Sequence, residues 1–320
     1  MKKQLYIFAL IVLTTFSAKA QQIGMYSDFM MNRFFYNPAY AGSKEVQEMN
    51  AGYRAQWVGF DGAPSSFYFN LMGSLKNKGK VGYGLGVYNE NSGLMNSTGI
   101  RLNYAHHFKL GEKVKLGLGI QPGYFQYRIR LYDAIKADEG DDVFTGNVHS
   151  TNAFDINMGF NIYSDKFFIM ASAQRILGGM IKFTGFNSQL QFHANAIAGY
   201  NIQFEKRKLE LQPSVLIRYT EPVPLLIAPM LKLKYDDKYS LGVMYRHDDA
   251  IGVNAGFTWN KRLTIAYGYD ISINALRKYN SGSHEIMLSF IINNKKPTLE
   301  ELDDKLNNSI LEDTNKETTN

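Results

Sequence analysis

The sequence predicts an all-β chain closed into a transmembrane antiparallel up-and-down β-barrel of the outer-membrane type, with about fourteen strands. Three observations carry that prediction. From residue 46 to 292, short stretches alternate apolar and polar residues, the period-two signature of strands. The polar parity is rich in Gly, Asn and Ser while the apolar parity carries Tyr, Phe and Trp, which puts water inside and lipid outside. Past the N-terminal leader no stretch approaches about eighteen uninterrupted apolar residues, so helical spans are excluded and membrane residence requires a closed barrel.

Residues 1–20 read as a signal peptide. Lys2 and Lys3 precede an apolar run from Leu5 to Leu13, and Ala18-Lys19-Ala20 supplies a small-x-small cleavage pattern. Losing Lys2, Lys3 and Lys19 takes the formal charge from +6 to 6 − 3 = +3. Residues 21–45 form a second unit. Phe34-Phe35-Tyr36-Asn37-Pro38-Ala39-Tyr40-Ala41-Gly42 is aromatic but does not alternate, and Asn37-Pro38 with Gly42 marks a turn. So apolar a segment is expected to pack in or beneath the barrel as a plug, or as a movable hatch that docks a partner.

The barrel itself is expected over 46–292, with strands near 46–58, 65–76, 79–90, 94–109, 113–128, 150–163, 166–176, 190–204, 208–220, 225–236, 239–247, 250–260, 263–272 and 284–292. Val81-Gly82-Tyr83-Gly84-Leu85-Gly86-Val87 shows the scheme most plainly, with bulk on one parity and glycine on the other. Alternate connections are short and basic, such as Lys206-Arg207-Lys208 and Asn260-Lys261-Arg262. The intervening ones, such as 130–150, 177–189 and 274–283, are expected to be the longer external loops, with both termini periplasmic. The inner parity holds Arg54, Arg101, Lys115, Asp155, His193, Glu210, Arg218, Lys232, Lys234 and Arg246, whose mixed signs suit ion pairs that stiffen the wall. Trp57, Tyr83, Tyr104, Tyr200, Tyr219, Tyr245, Trp259, Tyr267 and Tyr269 fall on the outer parity, where aromatic girdles sit.

Residues 293–320 change character to an acidic periplasmic tail. Thr298 and Glu301 make a capping box, and Leu299, Leu302, Leu306 and Ile310 recur at helical spacing, so a short helix is expected there.

The sequence nominates no catalytic, cofactor or metal site. His106 and His107 are adjacent, so a strand points them to opposite faces. Asp138-Glu139-Gly140-Asp141-Asp142 lacks the spaced ligands of a calcium loop. Gly82, Gly84 and Gly86 are strand glycines with no helix following, not a phosphate loop. There are no cysteines, which removes thiol chemistry and disulfides. Basic residues scatter through turns rather than forming one patch, which argues against nucleic acid.

Two blocks resemble a known family. Gln22-Ile23 through Tyr26, followed by Tyr36-Asn37-Pro38-Ala39-Tyr40-Ala41-Gly42, is similar to the N-terminal signature of PorP/SprF-type membrane proteins. Tyr53-Arg54-Ala55-Gln56-Trp57-Val58-Gly59-Phe60, with Gly62-Ala63-Pro64, resembles that family's next block. The resemblance implies an outer-membrane component of the type IX secretion system. Its implied partners are secretion-machinery subunits and a large secreted adhesin or other client, in outer-membrane lipid, with gliding among the associated roles and no cofactor. On that basis Tyr36, Asn37, Pro38, Ala39, Tyr40, Gly42, Arg54, Gln56 and Trp57 are the candidate partner and plug residues. A channel for small hydrophobic substrates, like the fatty-acid uptake barrels, is the alternative.

Overall fold

Alternation of this kind folds into one ring of strands in the computed structural model, which describes residues 24–75, 80–130, 148–178, 182–183, 186–189, 191–220 and 223–293. The expected signal peptide, the acidic run at 138–142 and the tail past residue 293 lie outside the described residues. The strands are β1 (Gln47–Ala55), β2 (Ser65–Ser74), β3 (Val81–Ser92), β4 (Met95–Lys109), β5 (Lys115–Arg130), β6 (Val148–Tyr163), β7 (Phe167–Gln174), β8 (Lys182–Phe183), β9 (Phe186–Gln189), β10 (His193–Tyr200), β11 (Ile202–Phe204), β12 (Leu209–Thr220), β13 (Val223–Tyr235), β14 (Tyr239–Arg246), β15 (Ala250–Trp259), β16 (Leu263–Ser272) and β17 (Ser283–Asn293).

Fourteen of them make a closed antiparallel barrel, and β1 pairs with β17 to seal it. The seam joins the first strand to the last, the ring closure that lets a sheet exist in lipid. β11 is an extra piece, the continuation of β10 after a break at Asn201, whose N–H turns to the Lys166 carbonyl at 2.6 Å. Among the described residues β8 and β9 pair only with each other, inside the segment expected to be loop. Among the described residues no helix is long and apolar enough to cross a membrane.

The two faces separate as the parity requires. Leu102, Tyr104, Leu241, Trp259 and Tyr267 project outward and are exposed, while Arg54, Arg101, Asp155, His193, Arg218, Lys232 and Arg246 project inward and are buried. Two expectations need correction. Trp57 is not a wall residue: β1 ends at Ala55, and Trp57 takes a left-handed φ of 45° in the turn beyond. Nor are the intervening connections uniformly long, since only Gly93 and Leu94 separate β3 from β4 and only residues 247–249 separate β14 from β15. Tight turns suffice wherever two strands end at one height, so length alone is a weak marker of side.

Candidate functional site

The N-terminal segment lies inside the ring. A turn at Asp28–Met31, a short helix α1 (Arg33–Tyr36) and a 3₁₀ turn (Pro38–Tyr40) fold residues 25–42 into a compact body. Tyr26, Phe29, Phe34, Phe35 and Tyr36 are all buried, which is how so apolar a stretch escapes water. Tyr26 meets Phe35 and Tyr68 edge to face at 4.9 and 4.8 Å. Burial raises the pKa of the Tyr26 and Tyr36 hydroxyls, so both stay neutral. Arg101 lies over Tyr88 at 4.4 Å and over Phe35 at 5.2 Å, and Arg218 over Tyr36 at 5.2 Å, tying wall cations to the aromatic rings.

Two kinds of contact hold this segment. At Asn37–Ala41 the wall presents glycines where the backbone comes closest. A methyl group at Gly119 would overlap the Ala39 nitrogen, and one at Gly82 would overlap the Ala41 carbonyl. That close approach gives the inward glycines of the strand repeats a purpose. Neutral hydrogen bonds complete the seat. Asn37 Nδ2 donates to the Phe160 and Ala171 carbonyls, both at 2.9 Å, and so bridges β6 and β7. Asn103 Nδ2 donates to the Pro38 carbonyl at 3.1 Å, Ser172 Oγ to the Tyr36 carbonyl at 2.6 Å and Gln174 Nε2 to the Phe35 carbonyl at 2.8 Å. His107 Nε2 lies 2.8 Å from the Ala41 carbonyl.

At Ser27–Asp28 the contacts are ionic. Arg54 is fully buried and forks between Asp270 at 2.5 Å and Glu285 at 3.2 Å. It also donates to Ser27 Oγ at 2.5 Å, while the Ser27 N–H donates to Glu285 Oε2 at 2.5 Å. Arg246 shares Asp270 at 2.7 Å, and Lys232 pairs with Asp28 at 2.5 Å. Arg246 also pairs with Asp249 at 2.7 Å, so three wall cations face Asp270, Glu285 and Asp249, and the segment supplies Asp28 as the fourth acid.

The structure gathers Tyr36, Asn37, Pro38, Ala39 and Tyr40 at the first contact, with Gly42 beside Gly82, and places Arg54 at the second. Gln56 and Trp57 are elsewhere, in the turn between β1 and β2. There the Gln56 N–H donates to the Pro64 carbonyl at 2.8 Å and the Trp57 N–H to Ser283 Oγ at 3.2 Å. Sequence reading missed Ser27, Asp28, Asp270 and Glu285 as site residues. The signal was an acid on the inner parity of β16 and of β17, but their partner comes from another strand. Among the described residues no group of His, Asp and Glu could hold a metal ion.

Residues 18–290 match the family described as Type IX secretion system membrane protein PorP/SprF. The chain belongs to that family. As a PorP/SprF member it is an outer-membrane barrel of the type IX secretion system, associated with that machinery. Comparison with curated proteins gives no match. Solved structures similar to this family member include a Pseudomonas aeruginosa FadL homologue, at 11% identity and TM-score 0.46, with 80% of this chain and 93% of that chain covered. The Acinetobacter baumannii outer membrane protein Omp33 matches at 6% identity and TM-score 0.45, covering 78% and 99%. The P. putida toluene transporter TodX matches at 8% identity and TM-score 0.43, covering 80% and 93%.

Proposed function

We propose that this PorP/SprF barrel supports export or surface attachment of a secreted client, such as a large adhesin, through protein–protein contacts and without a catalytic step of its own. Residues 21–45 act as its plug, and both termini lie in the periplasm. The observation that carries the reading is the packing of residues 25–42 against the inner wall by buried aromatics, glycine contacts and ion pairs. A cavity between Phe34, Phe35, Tyr88 and Arg101 has a volume of about 10 Å³, room for roughly one water. A lumen filled in this way suits a component that works by its rims and loops rather than by conducting a solute.

The test is affinity purification of the tagged protein from mild-detergent outer membranes, followed by mass spectrometry. Recovery of secretion-machinery subunits or a large surface protein in stoichiometric amounts is the expected result. Recovery of the barrel alone with bound fatty acid would overturn the reading in favour of a hydrophobic-substrate channel.

A further inference from the structure

Strand β6 is paired unequally on its two sides. β5 pairs with it along its whole length, from Val148 to Tyr163. β7 pairs with it only from Met158 to Tyr163. The reason is local: Arg175 adopts a left-handed φ of 56°, so β7 stops at Gln174 after 8 residues while β6 runs for 16. The turning chain is pinned to β6 by three bonds. The Arg175 N–H donates to Asn157 Oδ1 at 3.0 Å, the Leu177 N–H to Asp155 Oδ1 at 2.9 Å and the Ile176 N–H to the Ile156 carbonyl at 3.3 Å. Beyond Ile156, among the described residues, the strand continues with no strand paired on that side.

The direction of its open groups follows from that last bond. The N–H and C=O of one strand residue point the same way, and alternate residues repeat the direction. Ile156 faces away from β5, so Phe154, Asn152 and Ser150 do too, and among the described residues no strand pairs with them there. About ten residues take a tilted strand across a bilayer, so counting from Tyr163 this edge stands at and above the outer end of the crossing. Exposed strand edges are templates for another chain, and proteins blunt them with charge, proline or bulges. Ser150-Thr151-Asn152-Ala153-Phe154 carries no charge and no proline.

The outward side chains define what fits. Phe154 is 73% exposed and lies 5.0 Å from Tyr124 with the rings tilted by 57°, offering an aromatic surface at one end. Arg128 is exposed on β5 and lies in register with Ser150, whose small side chain leaves the arginine open to an added strand. A second copy of this chain would bring a further arginine one strand behind the seam rather than the acid that suits Arg128.

We propose that the β6 edge from Ser150 to Phe154 is a strand-addition site for an extended segment of a partner protein. That segment places an apolar side chain against Phe154 and an acidic one beside Arg128. The main chain supplies affinity, and these two side-chain positions supply selectivity. This rests on the reading that the barrel works through protein contacts, and it names the surface and the partner's chemistry.

Amide hydrogen exchange across residues 149–155, in the complex isolated from outer membranes and in the barrel refolded alone, tests it. Exchange at Asn152 and Phe154 slows about tenfold or more in the complex. Asn152→Pro removes one edge donor without touching the β5 ladder, and Asn152→Ala removes only the side-chain bond to Gln126. The proline variant loses the partner and the alanine variant keeps it, while both give the heat-modifiable band of a folded barrel. An intact complex with unchanged exchange at these amides, or with equal partner recovery from both variants, overturns the edge site alone. Protection that arises with only a second copy present overturns the stated partner. Isolation of the barrel without any bound polypeptide overturns both the edge site and the function on which it rests.

Discussion

The two ends of the N-terminal segment are held by opposite means. At Asn37–Ala41 the wall offers glycines and neutral hydrogen bonds; at Ser27–Asp28 it offers buried charge. The first contact is one of shape, and its strength is that of many small terms. The second is all-or-none, because buried charges are tolerable only while every partner is present. A segment held by both is seated by the glycine channel and locked by the ions. The difference teaches which end could let go first: the ionic end fails when a single group is lost, while the shape end must be overfilled.

The largest effect is expected at the ionic end. Arg54→Met leaves Asp270 with Arg246 alone and Glu285 without its cation, at a cost of about 3–5 kcal/mol. Denaturant unfolding in detergent should show that loss, with protease access first appearing near Ser27. Next comes overfilling of the seat. Gly119→Val drives a side chain into the Ala39 backbone, for a cost of about 1–3 kcal/mol or more if the wall cannot yield. Here protection of residues 37–41 should be lost while that near Ser27 persists. Smallest is Asn37→Ala, which strips the bridge to the Phe160 and Ala171 carbonyls for about 1 kcal/mol per bond. If Asn37→Ala destabilised the barrel as much as Arg54→Met, the distinction between seat and lock would be wrong.

Much of this architecture is legible in the sequence because period-two alternation is strong wherever one face meets lipid. The strand expected at 263–272 is observed at Leu263–Ser272, the one expected at 190–204 is broken at Asn201 into β10 and β11, and the others shift by a few residues at their ends. What stays hidden is whatever depends on a partner far along the chain. Arg54 could be read as inward, yet its bonds to Asp270 and Glu285 span 216 and 231 residues. Trp57 looked like a wall aromatic because alternation runs on past Ala55, while the left-handed turn that ends the strand has no marker before it. The glycines of Val81–Val87 announced an empty face, but not that Ala41 and Phe34 fill it. The early stop of β7 at Arg175 is silent in the sequence for the same reason.

Single-channel recording of the intact chain in a planar bilayer tests whether residues 25–42 seal the lumen. A lumen sealed by residues 25–42 predicts no conductance steps from the intact protein, and open steps from a variant lacking those residues. Stable open-channel steps from the intact chain, matching those of the deletion, would contradict it.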